Sequence, residues 1–208
     1  MEACRHGKVE KIDLDSRLYK YIDGVKSNIE NQDGIDVRNG CSDLNISDIT
    51  GCTGDDVVAL TAIKYFGKYE GGGVNTEIMH NDWEKRTAGI KNIVIRNVVA
   101  RSYWCWVVRI LPVETTIENV VIDGVIDTSE DEVGGGILIG EENASYGRVL
   151  PDSAKNVVIS NVIANKTQSV LIKGYLTNSS IINIINRYEN GQIVRTVREN
   201  ALNNVRIY

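Results

Sequence analysis

The chain has 208 residues and a formal net charge of -5, so it offers a nucleic acid no general electrostatic attraction. This length fits one domain with a buried core. Aromatic residues make up only 6% and proline occurs twice, whereas glycine occurs 19 times. That balance favours short strands joined by Gly and Asn turns over a helix bundle. No apolar run approaches the roughly 20 residues that span a bilayer, so we expect no membrane partner.

The first residues of the chain, up to His6, lack the apolar core of a signal peptide. We therefore expect no export signal in the chain as written. We expect a cytoplasmic protein from these residues alone, or a secreted one if the chain belongs to a longer precursor.

The four cysteines, Cys4, Cys41, Cys52 and Cys105, do not show the paired spacing of a zinc site. We predict no metal ligation by them and expect free thiols with a structural role. A disulfide between Cys41 and Cys52 is the alternative.

A short motif recurs along the chain, in which a polar residue, usually asparagine, precedes the pattern apolar-x-apolar-x-x-apolar. Its clear copies are Asp43–Ile49, Asn92–Val98, Asn119–Val125 and Asn156–Val162. Its weaker copies are Lys11–Leu14, Ser180–Ile184 and Asn204–Ile207. A second apolar segment follows most copies, namely Val57–Ile63, Val107–Leu111, Gly136–Gly140, Ser169–Lys173 and Gln192–Val197. Each repeat unit is therefore predicted to be one strand, one turn, one strand and one turn.

Units of about 23 to 27 residues are typical of a solenoid, whose repeats bury a core only by stacking on one another. The short strands leave no room for a crossover helix, so the prediction is an all-β, single-stranded parallel β-helix over residues 1–208, incomplete at its N-terminal end. An antiparallel β-sandwich is the alternative. Loop insertions at about 64–89 and 141–153 emerge from one edge, and we expect them to frame a cleft or to decorate the surface.

Stacking the second strands in register predicts which side chains point inward, because side chains alternate along a strand. The predicted inward residues are Ile35, Val37, Val58, Leu60, Val108, Ile110, Ile137 and Ile139. The intervening side chains should face solvent, with Asp33 beside Asp56. The outer surface would then combine acids, basic residues and aromatic rings, namely Asp33, Asp36, Arg38, Asp56, Tyr103, Trp104, Trp106, Arg109 and Lys173.

Two motifs in the first half of the chain point to a known family. Residues Asn31–Asp36 read Asn-Gln-Asp-Gly-Ile-Asp, and Thr53–Leu60 read Thr-Gly-Asp-Asp-Val-Val-Ala-Leu. They resemble the paired Asn-Thr-Asp-Gly-(Ile/Phe)-Asp and Thr-Gly-Asp-Asp-Cys-Ile-Ala-Ile motifs of polygalacturonases, glycoside hydrolase family 28 of the pectin-lyase-like superfamily. The resemblance implies a right-handed parallel β-helix that hydrolyses a polysaccharide with inversion and without a cofactor. It assigns the general acid and water-activating roles to Asp33, Asp55 and Asp56.

The chain also differs from the family pattern. The turn one unit after the aspartate pair reads Ser102–Trp106 where the family has Gly-His-Gly, and Gly136–Gly140 stands where it has Arg-Ile-Lys. We therefore predict a divergent hydrolase that acts on a polysaccharide or oligosaccharide other than plain pectin. The residues predicted to contact this glycan are Asp36, Arg38, Tyr103, Trp104, Trp106, Arg109 and Lys173.

Other interpretations of the aspartates remain open on the sequence. They are turn residues in the simplest one, since Asp and Gly favour turns. A calcium-dependent lyase would use the stacked carboxylates for the ion and Arg109 as the base. A third is a non-catalytic, tailspike-like β-helix that binds glycan without turnover. The repeated asparagines are predicted to be structural, and open strand edges at the two ends predict a homo-oligomer.

Overall fold

A computed structural model describes residues 1–64, 88–130, 135–141 and 147–208. This part of the chain is all-β and contains no helix. Most of the insertion expected at 64–89, and residues 142–146 of the second one, lie outside the described residues. The strands are β1 (Arg5–Asp15), β2 (Tyr19–Ile22), β3 (Val25–Asn28), β4 (Ile35–Arg38), β5 (Ser42–Thr53), β6 (Val58–Ile63), β7 (Ile90–Ser102), β8 (Trp106–Val113), β9 (Ile117–Asp127), β10 (Gly135–Ile139), β11 (Ala154–Ala164), β12 (Gln168–Ile172), β13 (Leu176–Asn186), β14 (Gln192–Thr196) and β15 (Leu202–Ile207).

The strands form two long parallel sheets and a hairpin. The seven-stranded sheet has the order β1-β5-β7-β9-β11-β13-β15, and the six-stranded sheet has the order β4-β6-β8-β10-β12-β14. From β4 onward the chain alternates between these sheets at every strand. Among the strands of the described residues, only β2 and β3 pair antiparallel, as a separate hairpin. The predicted first and second strands of the repeat units thus separate into the two sheets, and the antiparallel sandwich is wrong.

The core lies between the two sheets and consists of in-register apolar columns. On the seven-stranded sheet one column runs through consecutive strands from β5 to β13, namely Ile46, Ile95, Ile122, Ile159 and Ile181. All five side chains are buried. All eight predicted inward residues of the six-stranded sheet are buried as well. Strand alternation and the repeated motif therefore predicted the core correctly.

The outer face of the six-stranded sheet differs from the prediction. Ala59 and Leu138 were expected to face solvent, but each is only 2% exposed. Both are register partners of Arg109, which lies between them. The methylene groups of a long charged side chain cover apolar neighbours, which explains the burial of Ala59 and Leu138.

Two ladders of polar side chains follow the seven-stranded sheet. In the first, Asn92 donates to Asp43 over 2.8 Å, Asn119 to Asn92 over 2.9 Å, and Asn156 to Asn119 over 3.0 Å. The second includes Asn97 donating to Asp48 and Asn183 donating to Asn161. Residues of both ladders have a positive φ, for example 57° at Asn119. Asparagine tolerates this conformation and can donate and accept at once, so the predicted structural role is confirmed.

The four cysteines are free thiols, as expected. Cys41 and Cys52 lie near opposite ends of β5, on the order of 30 Å apart along an extended strand. A disulfide between them is therefore wrong, because bonded cysteines have Cα atoms less than about 7 Å apart. Among the residues described, no helix has the length and apolar character that crossing a bilayer requires.

The first ladder can be tested at Asn119, which donates to Asn92 and accepts from Asn156. Asn119→Gly loses these hydrogen bonds but allows the positive φ, so unfolding free energy should fall by roughly 1–2 kcal/mol. Asn119→Ala loses them and also strains the backbone, for a loss of roughly 2–4 kcal/mol. Urea unfolding monitored by circular dichroism measures both, and Asn203→Ala, at an exposed position outside the ladders, is the control. Equal losses for the two variants would show that the backbone conformation contributes nothing.

Candidate active site

The turns that precede β4 and β6 lie side by side, at the edge where the strands of the six-stranded sheet begin. The Gly34 N–H donates to the Asp56 carbonyl over 2.9 Å, and the Asp55 N–H donates to the Gln32 carbonyl over 3.2 Å. Parallel pairing thus brings the two aspartate-containing turns into direct contact. Asp33 and Asp56 are neighbours in this register, as the sequence predicted.

Asp56 is the most enclosed of the acids, since it is 0% exposed. One carboxylate oxygen accepts from the Trp106 N–H over 2.9 Å, and the other accepts from Arg109 over 3.2 Å. Burial raises its pKa to about 7, although Arg109 opposes this shift. Arg109 and Asp56 thus form an ion pair. Both oxygens of this carboxylate are thus engaged, one with Arg109 and the other with the turn before β8.

Asp33 is partly exposed, and its pKa is raised to about 7. Burial is the largest cause, followed by the negative charges of Asp55, Asp56 and Asp36, while Arg109 acts in the opposite direction. A carboxyl group among other carboxylates keeps its proton because a further negative charge there is unfavourable. Asp33 is therefore protonated in much of the population near neutral pH and can donate a proton.

Asp55 is also partly exposed but has different contacts. Its carboxylate accepts from the Asp56 N–H over 2.9 Å, and the Cys105 thiol donates to it. Burial raises the pKa of Cys105, so this thiol remains protonated and acts as a donor. Asp55 is thus a hydrogen-bond acceptor, in contrast to the proton-donating Asp33 on the neighbouring turn.

The predicted basic residues are engaged in ion pairs. Arg38 pairs with Asp36 on the same strand. Arg109 lies 3.7 Å from Glu141 in addition to its contact with Asp56, and Lys173 lies 3.2 Å from the other oxygen of Glu141. Sequence reasoning missed Glu141. Its position two residues after β10, in the repeat unit after that of Arg109, could have predicted its role. Glu141 joins two predicted glycan-binding cations into one network.

The three predicted aromatic residues have different surroundings. Trp104 is 42% exposed. The Trp106 ring lies against Gly135 of the next strand, where an added Cβ would come within 2.1 Å of the ring. Tyr103 lies against Arg17, whose guanidinium carbon is 3.1 Å from the ring centre. Trp104 is therefore the ring that can stack on a sugar, whereas Trp106 packs between strands.

A basic and aromatic cluster borders the acids and was not predicted from the sequence. It contains Arg17 and Arg101 against the Tyr103 ring, and Lys26 at 3.6 Å from the Tyr19 ring. Within the described ranges these three cations have no carboxylate within 4.0 Å. The Nε of Arg17 is buried without a hydrogen-bond partner there. Arg17 follows β1, and Arg101 lies near the end of β7, at the edge of the fold where the acids lie. These two positions could have predicted the cluster from the sequence.

The acids and arginines surround a small cavity of about 50 Å³, which has room for a few water molecules. Its lining includes Asp33, Asp36, Asp55, Asp56, Arg38 and Arg109. A water molecule here would lie between Asp33, which can donate a proton, and Asp55, which accepts hydrogen bonds. Acid and base catalysis on a substrate at the cavity mouth is therefore chemically available.

A metal ion fits this arrangement poorly. Donor atoms of Asp55, Asp56 and Cys105 all lie within 4.8 Å of one another. However, both Asp56 oxygens already accept hydrogen bonds, and the Cys105 thiol keeps its proton. Calcium takes six to eight oxygen ligands, which this group does not supply. This group of three residues therefore does not favour a calcium ion.

No protein-family model, curated protein or solved structure matches this chain. The interpretation of the site therefore depends on the two aspartate motifs, on the parallel register that joins them, and on the chemistry of the side chains themselves.

The raised pKa of Asp33 predicts a pH-dependent gain in stability for Asp33→Asn. Because the native pKa is above the unfolded value of 3.8, the stabilising effect of this proton is complete below about pH 3.8 and is lost as pH rises through about 7. At pH 8 the amide removes an unfavourable charge, and after discounting for solvent screening the unfolding free energy should rise by about 1–2 kcal/mol.

Thermal and urea unfolding at pH 8 and pH 4 measure this difference, and Asp23→Asn in the exposed hairpin turn is the matched control. The gain for Asp33→Asn should disappear at pH 4. A loss of stability at pH 8 would contradict the raised pKa.

Proposed function

We propose that the chain is a right-handed, single-stranded parallel β-helix of the polygalacturonase type that hydrolyses glycosidic bonds in an acidic polysaccharide with inversion. Strand alternation between two parallel sheets and the in-register motif copies support the helix, while handedness comes from the family resemblance. The observation that carries the function is the contact between two turns, one with a proton-donating Asp33 and the other with an acceptor Asp55.

In this proposal the two exposed carboxyl groups divide the chemistry. Asp33 protonates the glycosidic oxygen as its bond to the anomeric carbon breaks. Asp55 takes a proton from a water molecule whose oxygen bonds to the same carbon from the opposite face, which inverts its configuration. Asp56, predicted to be catalytic, instead positions Arg109, since neither of its oxygens reaches the surface.

The spacing of parallel strands favours Asp33 with Asp55 over Asp33 with Asp56. Inverting enzymes need about 6.5–9.5 Å between them to admit water. Neighbouring parallel strands lie only about 4.8 Å apart, so the directly adjacent Asp33 and Asp56 are too close. Asp55 precedes the direct register neighbour of Asp33 by one residue, which favours it as the partner.

The surroundings of the acids support a negatively charged sugar polymer. Arg17, Lys26 and Arg101 provide positive charge beside the acidic turns without carboxylate partners in the described part of the chain. A guanidinium group recognises a carboxylate or sulfate through paired hydrogen bonds. Exposed Trp104 can stack on the apolar face of a sugar ring.

A non-catalytic glycan-binding module is the second candidate. It is favoured by the ion pairs in the cavity lining. Two of the four aspartates there, Asp36 and Asp56, already pair with Arg38 and Arg109. Such a protein would keep the basic and aromatic surface and bind sugar without turnover. The two candidates differ in whether Asp33 and Asp55 are needed for bond cleavage.

The hydrolase is tested by release of reducing ends from a panel of acidic and neutral polysaccharides. Asp33→Asn and Asp55→Asn should each lower turnover by about 10²–10⁴-fold, because each removes one proton transfer. Binding of the polymer should persist, and Asp23→Asn should retain full activity. Proton NMR of the first product should show the inverted anomer.

Activity of the unchanged chain should also fall as pH rises through about 7, because Asp33 then loses its proton. A folded chain that binds glycan but releases no reducing ends would favour the binding module. Unsaturated products that absorb ultraviolet light would identify a lyase instead.

The role of the basic cluster is tested by Arg17→Gln and Arg101→Gln. Each should raise KM for an acidic polymer about tenfold, which corresponds to about 1.4 kcal/mol, and leave a neutral polymer unaffected. Arg148→Gln is the control, since this side chain is 82% exposed and pairs with Glu114 beyond the other end of the strands. Equal effects on both polymers would show that these arginines only support the fold.

A further inference from the structure

Two cysteines lie side by side at the other edge of the fold, away from the aspartates. Cys4 directly precedes β1 and Cys41 directly precedes β5, and the next residues, Arg5 and Ser42, are register partners. The Ser42 N–H donates to the Cys4 carbonyl over 3.0 Å, and the Cys4 N–H lies 3.4 Å from the Cys41 sulfur. The two residues therefore occupy equivalent positions on adjacent strands.

Both side chains face the interior. Cys41 is fully buried within the main core, and Cys4 is partly exposed and packs against that core. Neighbouring parallel strands are about 4.8 Å apart, which lies within the 4.4–6.8 Å between Cα atoms of disulfide-bonded cysteines. Neither thiol takes part in the proposed hydrolysis. The pair thus has the spacing of a disulfide while the thiols are reduced.

We propose that Cys4 and Cys41 form a reversible disulfide with a low-molecular-weight disulfide, such as oxidised glutathione, as the oxidant. The Cys4 thiolate attacks one glutathione sulfur, which forms a mixed disulfide and releases one glutathione. The Cys41 sulfur then attacks the Cys4 sulfur and releases the second. Two protein thiols and one glutathione disulfide thereby become one protein disulfide and two glutathione molecules.

The order of the two steps follows from exposure. Cys4 is partly exposed and can meet the oxidant, whereas Cys41 is enclosed. Burial also raises the pKa of Cys41, which lowers its thiolate fraction and makes it a poor first nucleophile. Cys41 is then the resolving thiol, held next to its target by the strand pairing.

The bond would enclose the segment that carries the proton donor of the candidate site. Residues 5–40 lie within the closed loop, including β4 and Asp33. Just before Cys4 the chain follows the outer edge of β4, where the Arg38 N–H donates to the Met1 carbonyl over 2.7 Å and the Ala3 N–H donates to the Asn39 carbonyl over 2.9 Å. Oxidation would fix this short stretch against the edge strand of the six-stranded sheet.

The test equilibrates the full chain in glutathione buffers from reducing to oxidising, blocks remaining thiols, and maps the peptides by mass spectrometry without reduction. We expect a Cys4–Cys41 linked peptide, with Cys52 and Cys105 blocked. The melting temperature should rise by roughly 5–15 °C on oxidation, because the crosslink restricts the unfolded chain. Cys52→Ser is the matched control and should behave like the unchanged chain.

Two further variants separate the steps. Cys41→Ser should accumulate glutathione on Cys4, and Cys4→Ser should show neither the crosslink nor the oxidation-dependent rise in melting temperature. The peptide map of the unchanged chain decides the question even if a variant fails to fold. Absence of the linked peptide in excess oxidant, or a crosslink between other cysteines, would overturn the proposal. The outcome is independent of whether the chain hydrolyses a glycan.

Discussion

The hydrogen bonding of parallel strands in one fixed register is the interaction on which the rest of this structure depends. A slip by one residue would turn the Ile46, Ile95 and Ile122 column from the core to the surface, because side chains alternate along a strand. The polar ladders oppose such a slip. Each member combines a left-handed backbone position with a side-chain bond to the equivalent residue of the next strand. Apolar burial supplies most of the stability, and the ladders specify one alignment.

The same register produces the chemistry at the sheet edge. Turns that precede paired strands must lie next to each other. Strand pairing by itself therefore brings Asp33 next to Asp55 and Asp56. Burial of these carboxyl groups, together with the resulting crowding, is unfavourable for negative charge and raises the pKa values of Asp33 and Asp56. Arg109 reduces this repulsion at the buried Asp56. Asp33 makes no comparable ion pair among the described contacts, and its burial and the neighbouring carboxylates favour its protonated form.

Side chains of the same type have different roles here because they are buried to different extents. Asp56 and Asp55 are adjacent in sequence, yet one is enclosed by Trp106 and Arg109 and the other is accessible. The cysteines differ in a similar way, since Cys105 donates to a carboxylate whereas Cys41 lies next to another thiol. The residue type at a position therefore limits which reactions its side chain can undergo. The packing around that side chain determines which of these reactions occurs.

The sequence by itself determined the repeat unit, the inward columns and the meeting of Asp33 with Asp56. These features follow from the periodicity of the sequence and from the assumption that equivalent strands of successive repeat units stack on one another. Only the tertiary structure decided that Asp56 is buried, that Glu141 joins Arg109 to Lys173, that Arg17 and Arg101 flank Tyr103, and that Cys4 rather than Cys52 neighbours Cys41. These contacts join side chains from turns far apart in the chain, and their geometry depends on packing around each turn, which has no sequence period.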